Sequence, residues 1–218
     1  MNKKQKKQSG EDNRKLTKAE ELRKEKYETM REQLLAQGYR ERDMTIGIVY
    51  ANVMAIVIGL PIILPFIILF IKFSPATLDD LTNTNFVWFW ILFIAGTVVH
   101  ELIHGTVWAI FAKGHFKSIQ FGYIAEYVTP YCCCMETLSK SPYIIGALAP
   151  TVLLGILPCL IAIANGSWML LILGCLMIIG GGGDMTIVLK LLRYHSECRE
   201  VLYIDHPYKC GTMIFERD

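Results

Sequence analysis

Charge is scarce in this chain, and over long stretches it is missing altogether. Asp, Glu, Lys and Arg make up 19% of the 218 residues, against about a quarter in soluble domains. Residues 44–71 contain none of the four. A second run, 81–99, is broken only at His100 and Glu101 and then continues to Ala112. A third covers 141–183 and is interrupted only by the polar step Asn165-Gly166-Ser167. Soluble domains are built from amphipathic elements, so uncharged runs this long exclude an ordinary soluble fold. The 53% hydrophobic content and mean hydropathy of +0.36 agree.

Other features are lacking too. There is no internal repeat, and no cleavable secretory leader is expected, because the N-terminal segment is long and charged and the first apolar run is too long for one. Seven cysteines form an odd set, with Cys132, Cys133 and Cys134 consecutive. In a reducing cytoplasm these are not expected to form structural disulfides. Three adjacent residues do not easily face one ion, which argues against a catalytic role for the triplet.

A hydrocarbon layer of about 30 Å takes roughly 20 helical residues, so the apolar runs accommodate about four spans, near 45–71, 86–112, 143–164 and 168–191. The expected fold is an all-α membrane protein with a short β-containing cytoplasmic loop between the second and third helices. Its parts are a charged tail, 1–43, an accessory first span, 44–72, a three-helix core, 86–192, and a C-terminal tail, 193–218. Of the 22 Lys and Arg, 13 precede residue 44, and the two loops on the opposite side carry only Lys72. Basic residues stay on the cytoplasmic side, which places both termini there, in a multi-pass protein of the cell membrane.

Within the tail, 1–15 is Lys-rich and reads as disordered, while 16–37 reads as a solvated helix ending near Gly38. Pro61 and Pro65 are expected to kink or split the first span. The period-two placing of Ile119, Phe121 and Tyr123 predicts one or two short strands within 117–128.

The chemistry concentrates at His100-Glu101-Leu102-Ile103-His104. Residues four apart share a helix face, so both imidazoles can point at one metal ion. Glu101, about 100° round the axis, can reach a water on that metal as general base. Zinc lowers the pKa of such a water toward neutrality. Two histidines and a carboxylate inside an apolar span are costly unless they have a function. A catalytic zinc needs a third protein ligand, and Asp184 is the candidate. It lies 16 residues after Trp168, as His100 lies 14 after Phe86, which puts the two at about 24 and 21 Å depth. The four glycines 180–183 ahead of Asp184 either let helices approach or let the backbone bend to aim the carboxylate. Glu126 and Glu136 in the cytoplasmic loop are rival third ligands. His115, His195 and His206 read as solvated or structural, and Asn52 as either a packing or a lining group.

With these motifs the chain resembles the site-2-protease type of intramembrane zinc metalloprotease, and above all the small bacterial family of zincin membrane peptidases. The matching pieces are His100-Glu-Leu-Ile-His-Gly105, Ala149-Pro150 and Gly183-Asp184, within about residues 86–210. The resemblance implies zinc held by His100, His104 and Asp184, with Glu101 as catalytic acid/base. It also implies a strand edge after the motif on which an extended substrate docks. Site-2 proteases usually carry their Asp in Asn-Pro-Asp-Gly, and neither that Pro nor the following Gly is present here. The expected partners are a membrane protein or peptide substrate and the lipid bilayer, with no nucleic acid. The runner-up function is a non-enzymatic membrane protein that binds or transports a metal through the same three residues. Glu101 separates the two readings, because transport needs no base beside a water. Substrate, cleavage site and oligomeric state are left open.

Overall fold

The computed structural model describes residues 16–82, 85–124 and 129–218. The Lys-rich segment 1–15 and Glu126 lie outside the described residues. The chain is mostly helical, with two small antiparallel sheets at one end of a helical bundle.

The first helix, α1 (Lys18–Ala36), opens on a capping box. Thr17 accepts the Glu20 N–H while the Glu20 carboxylate accepts the Thr17 N–H. It closes at Gly38, whose φ of +87° suits glycine. Strand β1 (Arg40–Asp43) leads into α2 (Ile48–Phe73). The two prolines do not split this helix, which runs unbroken for 26 residues. Four apart, Pro61 and Pro65 share its exposed face, and each removes only one i→i−4 hydrogen bond, so the remaining bonds hold the helix. Its buried face carries the small residues Ala51, Ala55 and Gly59.

After the short α3 (Leu78–Thr82) comes α4 (Phe86–Phe111), capped by the Asn85 side chain, which accepts from the N–H groups of Val87 and Trp88. Strands β2 (Ile119–Ile124) and β3 (Thr129–Cys134) pair as a hairpin, with Ile119 opposite Cys134 and Phe121 opposite Cys132. β2 falls where alternation predicted a strand. β3 lies beyond it, masked in the sequence by Pro130, which sits at a position that donates nothing to the ladder.

Helix α5 (Lys140–Asn165) contains a π-helical stretch at Thr151–Ile156. α6 (Trp168–Gly180) and α7 (Gly182–Arg193) meet at a bend of 48°. Three helices, α2, α4 and α5, are long and apolar enough to cross a membrane, and α6 with α7 makes a fourth if the bent pair is one span.

The two terminal segments, expected as tails, are joined in a three-stranded sheet in the order β1-β5-β4, with β4 at Glu200–Asp205 and β5 at Thr212–Arg217. This sheet corrects the all-α expectation with its single β-containing loop. Arg40 of β1 pairs with Glu216 of β5, a contact between residues far apart in the sequence. Glu216 is buried and accepts hydrogen bonds from Tyr194 Oη at 2.5 Å, Arg42 Nε at 2.6 Å and Ser196 Oγ at 2.8 Å. These donors, the Tyr194 hydroxyl first, hold its carboxyl down at about 2. A carboxylate depressed on folding stabilises the native state above its unfolded pKa of roughly 4.3, and that contribution fades as pH falls toward 2. Amide protection of β5 is therefore expected to weaken in wild type over this window. A Glu216→Gln chain should show low protection already at neutral pH, and hydrogen exchange reads both.

Candidate metal centre

α4 places His100 and His104 one above the other, as four-residue spacing on a helix requires. α7 delivers Asp184 from the other side, in its first turn. The Nε2 atoms of His100 and His104 each stand 3.4 Å from Asp184 Oδ2. The candidate ligand atoms of the three residues lie within 4.8 Å of one another, and among the described residues no other group of three or more His, Cys, Asp or Glu does so. At 3.4 Å these are poor hydrogen bonds. They match a tetrahedral zinc site instead, where ligand atoms about 2.1 Å from the metal stand about 3.4 Å apart. Both histidines are buried, and the Asp184 side chain is 27% exposed, leaving one side of the trio open.

The imidazoles are oriented from behind. His104 Nδ1 lies 2.8 Å from the Gly146 carbonyl of α5. A proton on Nδ1 satisfies that carbonyl and leaves Nε2 free to ligate. The Trp108 ring stacks on His104, with centroids 5.0 Å apart and 14° between planes. Trp108 in turn donates through Nε1 to the Tyr143 carbonyl at 3.2 Å. Gly146 must be glycine, since a Cβ there would overlap the Trp108 indole.

The glycine run has both of the uses the sequence left open. Gly181 lies at the bend, and its backbone comes so close to Thr151 that no side chain would fit. Gly182 lies as closely against Ala55 of α2. Gly180 and Gly183 have nothing near the place of a Cβ. The bend and the two close approaches together aim Asp184 at the histidines.

Glu101 is half-buried on the same helix, beside β3, where the backbone N–H of Cys132 is turned to its carboxylate. Glu136, one rival ligand, stands apart from the trio, accepting the Gly114 N–H at 3.1 and 3.2 Å. His115 and His195 are exposed. His115 Nδ1 lies 3.0 Å from the Ala109 carbonyl, and His206 Nδ1 accepts the N–H groups of Tyr208 and Lys209. All seven cysteines are free. Burial raises the Cys134 thiol to about 12 and pushes Cys132 and Cys133 up as well, so these are protonated thiols.

Asp205, at the end of β4, is a buried carboxylate near the site that the sequence did not single out. It is buried and accepts from Tyr143 Oη at 2.6 Å and from the Cys134 N–H at 2.8 Å. Burial nonetheless pushes its carboxyl up to about 6. It thereby ties the terminal sheet to the hairpin and to the helix behind His104. The apolar run Val201-Leu-Tyr-Ile204 ahead of it was a strand signal available in the sequence.

The family model described as "Putative zincin peptidase" matches residues 93–199, a little under half of the chain. The match bears out the resemblance to that family read from the motifs. Together with the His/His/Asp cluster, it points to a zinc metallopeptidase. No curated protein and no solved structure matches the chain.

Proposed function

We propose that this protein is a membrane-embedded zinc metallopeptidase of the site-2-protease type, cutting a peptide bond in or near the cytoplasmic leaflet. The observation that carries the reading is the 3.4 Å spacing from each histidine Nε2 to Asp184 Oδ2, with Glu101 next to the first histidine. His100, His104 and Asp184 hold the metal. Bound there, zinc supplies the Lewis acidity that polarises a carbonyl and acidifies water. Glu101 takes the proton from the attacking water and later passes it to the leaving amine. The Gly146 carbonyl and the Trp108 ring keep His104 in its ligating orientation.

The distribution of basic residues supports an orientation with both termini, and so both sheets, in the cytoplasm. Substrates are then membrane proteins or peptides whose cleaved segment is unwound at that face. The test uses purified full-length protein in detergent with fluorescein-labelled casein, an unfolded substrate offering extended backbone of many sequences. One zinc per chain is expected, with hydrolysis abolished by chelation and restored by zinc. Hydrolysis that survives removal of the metal would sink the proposal. Stoichiometric zinc without hydrolysis would instead favour the metal-binding alternative.

A further inference from the structure

Tyr143, in the first turn of α5, is held at both of its ends. Its hydroxyl donates to Asp205 Oδ1 at 2.6 Å, and its main-chain carbonyl accepts from Trp108 Nε1 at 3.2 Å. The buried ring packs between two others. Trp108 lies on one side, with centroids 5.7 Å apart and 27° between planes, and Tyr203 on the other at 6.2 Å and 34°. Tyr203 and Asp205 are two apart on β4 and so share a sheet face. Thr212 of β5 stands opposite Asp205 in the register and lies beside the Tyr143 hydroxyl as well. Tyr143 is thus a peg set into the terminal sheet across β4 and β5.

Two routes carry the position of that peg to the metal ligand. Along the rings, Trp108 stacks in turn on His104, with centroids 5.0 Å apart and 14° between planes. Along the main chain, Gly146 follows Tyr143 by three residues, and its carbonyl lies 2.8 Å from His104 Nδ1. The start of α5 needs such a hold, because Ser139 gives it no side-chain cap. The Leu138–Tyr203 bridge fixes where the helix begins, and Tyr143 fixes how it is turned about its axis. A turn of about 20° carries an atom at the roughly 2.3 Å radius of a helix backbone through about 0.8 Å. That exceeds the spread of distances over which a good hydrogen bond forms.

We propose that Tyr143 is a positioning residue for the metal, through which Asp205 and the terminal sheet set the orientation of His104. The inference rests on metal ligation by His100, His104 and Asp184, as the proposed function has it, and not on the cleavage of peptides. It makes closure of a sheet built from both ends of the chain a condition for tight metal binding. Asp205 serves the site without entering it.

The test titrates metal-stripped, full-length protein with zinc against a competing chromophoric chelator, below the unfolding temperature of every variant. Tyr143→Phe keeps the ring and its stacking and loses only the bond to Asp205. Asp205→Asn keeps the side-chain volume and loses the charge that receives two donors. Each is expected to weaken zinc binding about tenfold, the low end of what disturbing an outer partner of a ligand costs. Each should also dim the visible bands of the cobalt(II)-loaded protein, whose intensity reports tetrahedral geometry. Both changes break one link, so the double variant should bind zinc within about twofold of either single one. A tie that serves stability alone would lower the unfolding temperature and leave affinity and cobalt spectrum as in wild type. Zinc affinity within about twofold of wild type in both single variants overturns the inference, and so does a loss in the double variant that is the product of the two. Casein hydrolysis by the zinc-loaded wild type keeps the two levels apart. If it is absent while the variants lose affinity as expected, only the peptidase reading fails. If it is present while the affinities stay unchanged, only the positioning inference fails.

Discussion

Replacing Glu101 by Gln is expected to slow peptide hydrolysis by about 10²–10⁴-fold, the usual contribution of a positioned general acid–base, while the protein still binds one zinc. The side chain keeps its length and one carbonyl oxygen that can accept from Cys132, so the hairpin and helix should stay in place. What is lost is the ability to take a proton. Glu101 is not one of the three groups whose ligand atoms converge, so the metal has no reason to leave. Zinc content by atomic emission and hydrolysis of labelled casein, measured on the same preparation, check both halves. An active Glu101→Gln would remove the base from the mechanism, and a zinc-free one would make Glu101 a ligand.

Asp184→Ala is expected to empty the site. Its Oδ2 is the atom both histidine nitrogens face at 3.4 Å, and two histidines alone leave zinc half-coordinated. The loss in affinity should exceed the roughly 10–100-fold that disturbing an outer partner of a ligand costs. Equilibrium dialysis against a zinc chelator series measures it, with His104→Ala as the matching loss from α4. Zinc retained at wild-type affinity in Asp184→Ala would return the third ligand to Glu126 or Glu136. Glu136 is already engaged with the Gly114 N–H and would have to leave it.

Much of the core was legible because lipid imposes a simple rule. A span must be uncharged, so the interruptions at His100, Glu101 and Asp184 stand out, and helical spacing and depth then bring them together. The glycine run could be recognised but not parsed. Only the packing shows that Gly181 and Gly182 are constrained while Gly180 and Gly183 are not. The terminal sheet was missed for a different reason. Its strands are of four to six residues, and β1 finds its partner only at the far end of the chain. No local window contains that pairing. Asp205 was missed with it, because its part depends on strands whose alignment the sequence does not print. Of the two effects expected from the prolines of α2, the split does not occur, because each proline removes only one hydrogen bond from a helix of 26 residues.

The pairing of β1 with β5 also sets an order of assembly. During synthesis β1 emerges early and waits, unpaired, while all the long apolar helices are made. Asp205, which fastens the hairpin beside Glu101, arrives in the same late stretch of chain. The Asp205 contact that fastens the hairpin thus forms only after His100, His104 and Asp184 have all been made, so a half-made chain has the His/His/Asp cluster before the hairpin beside it is secured.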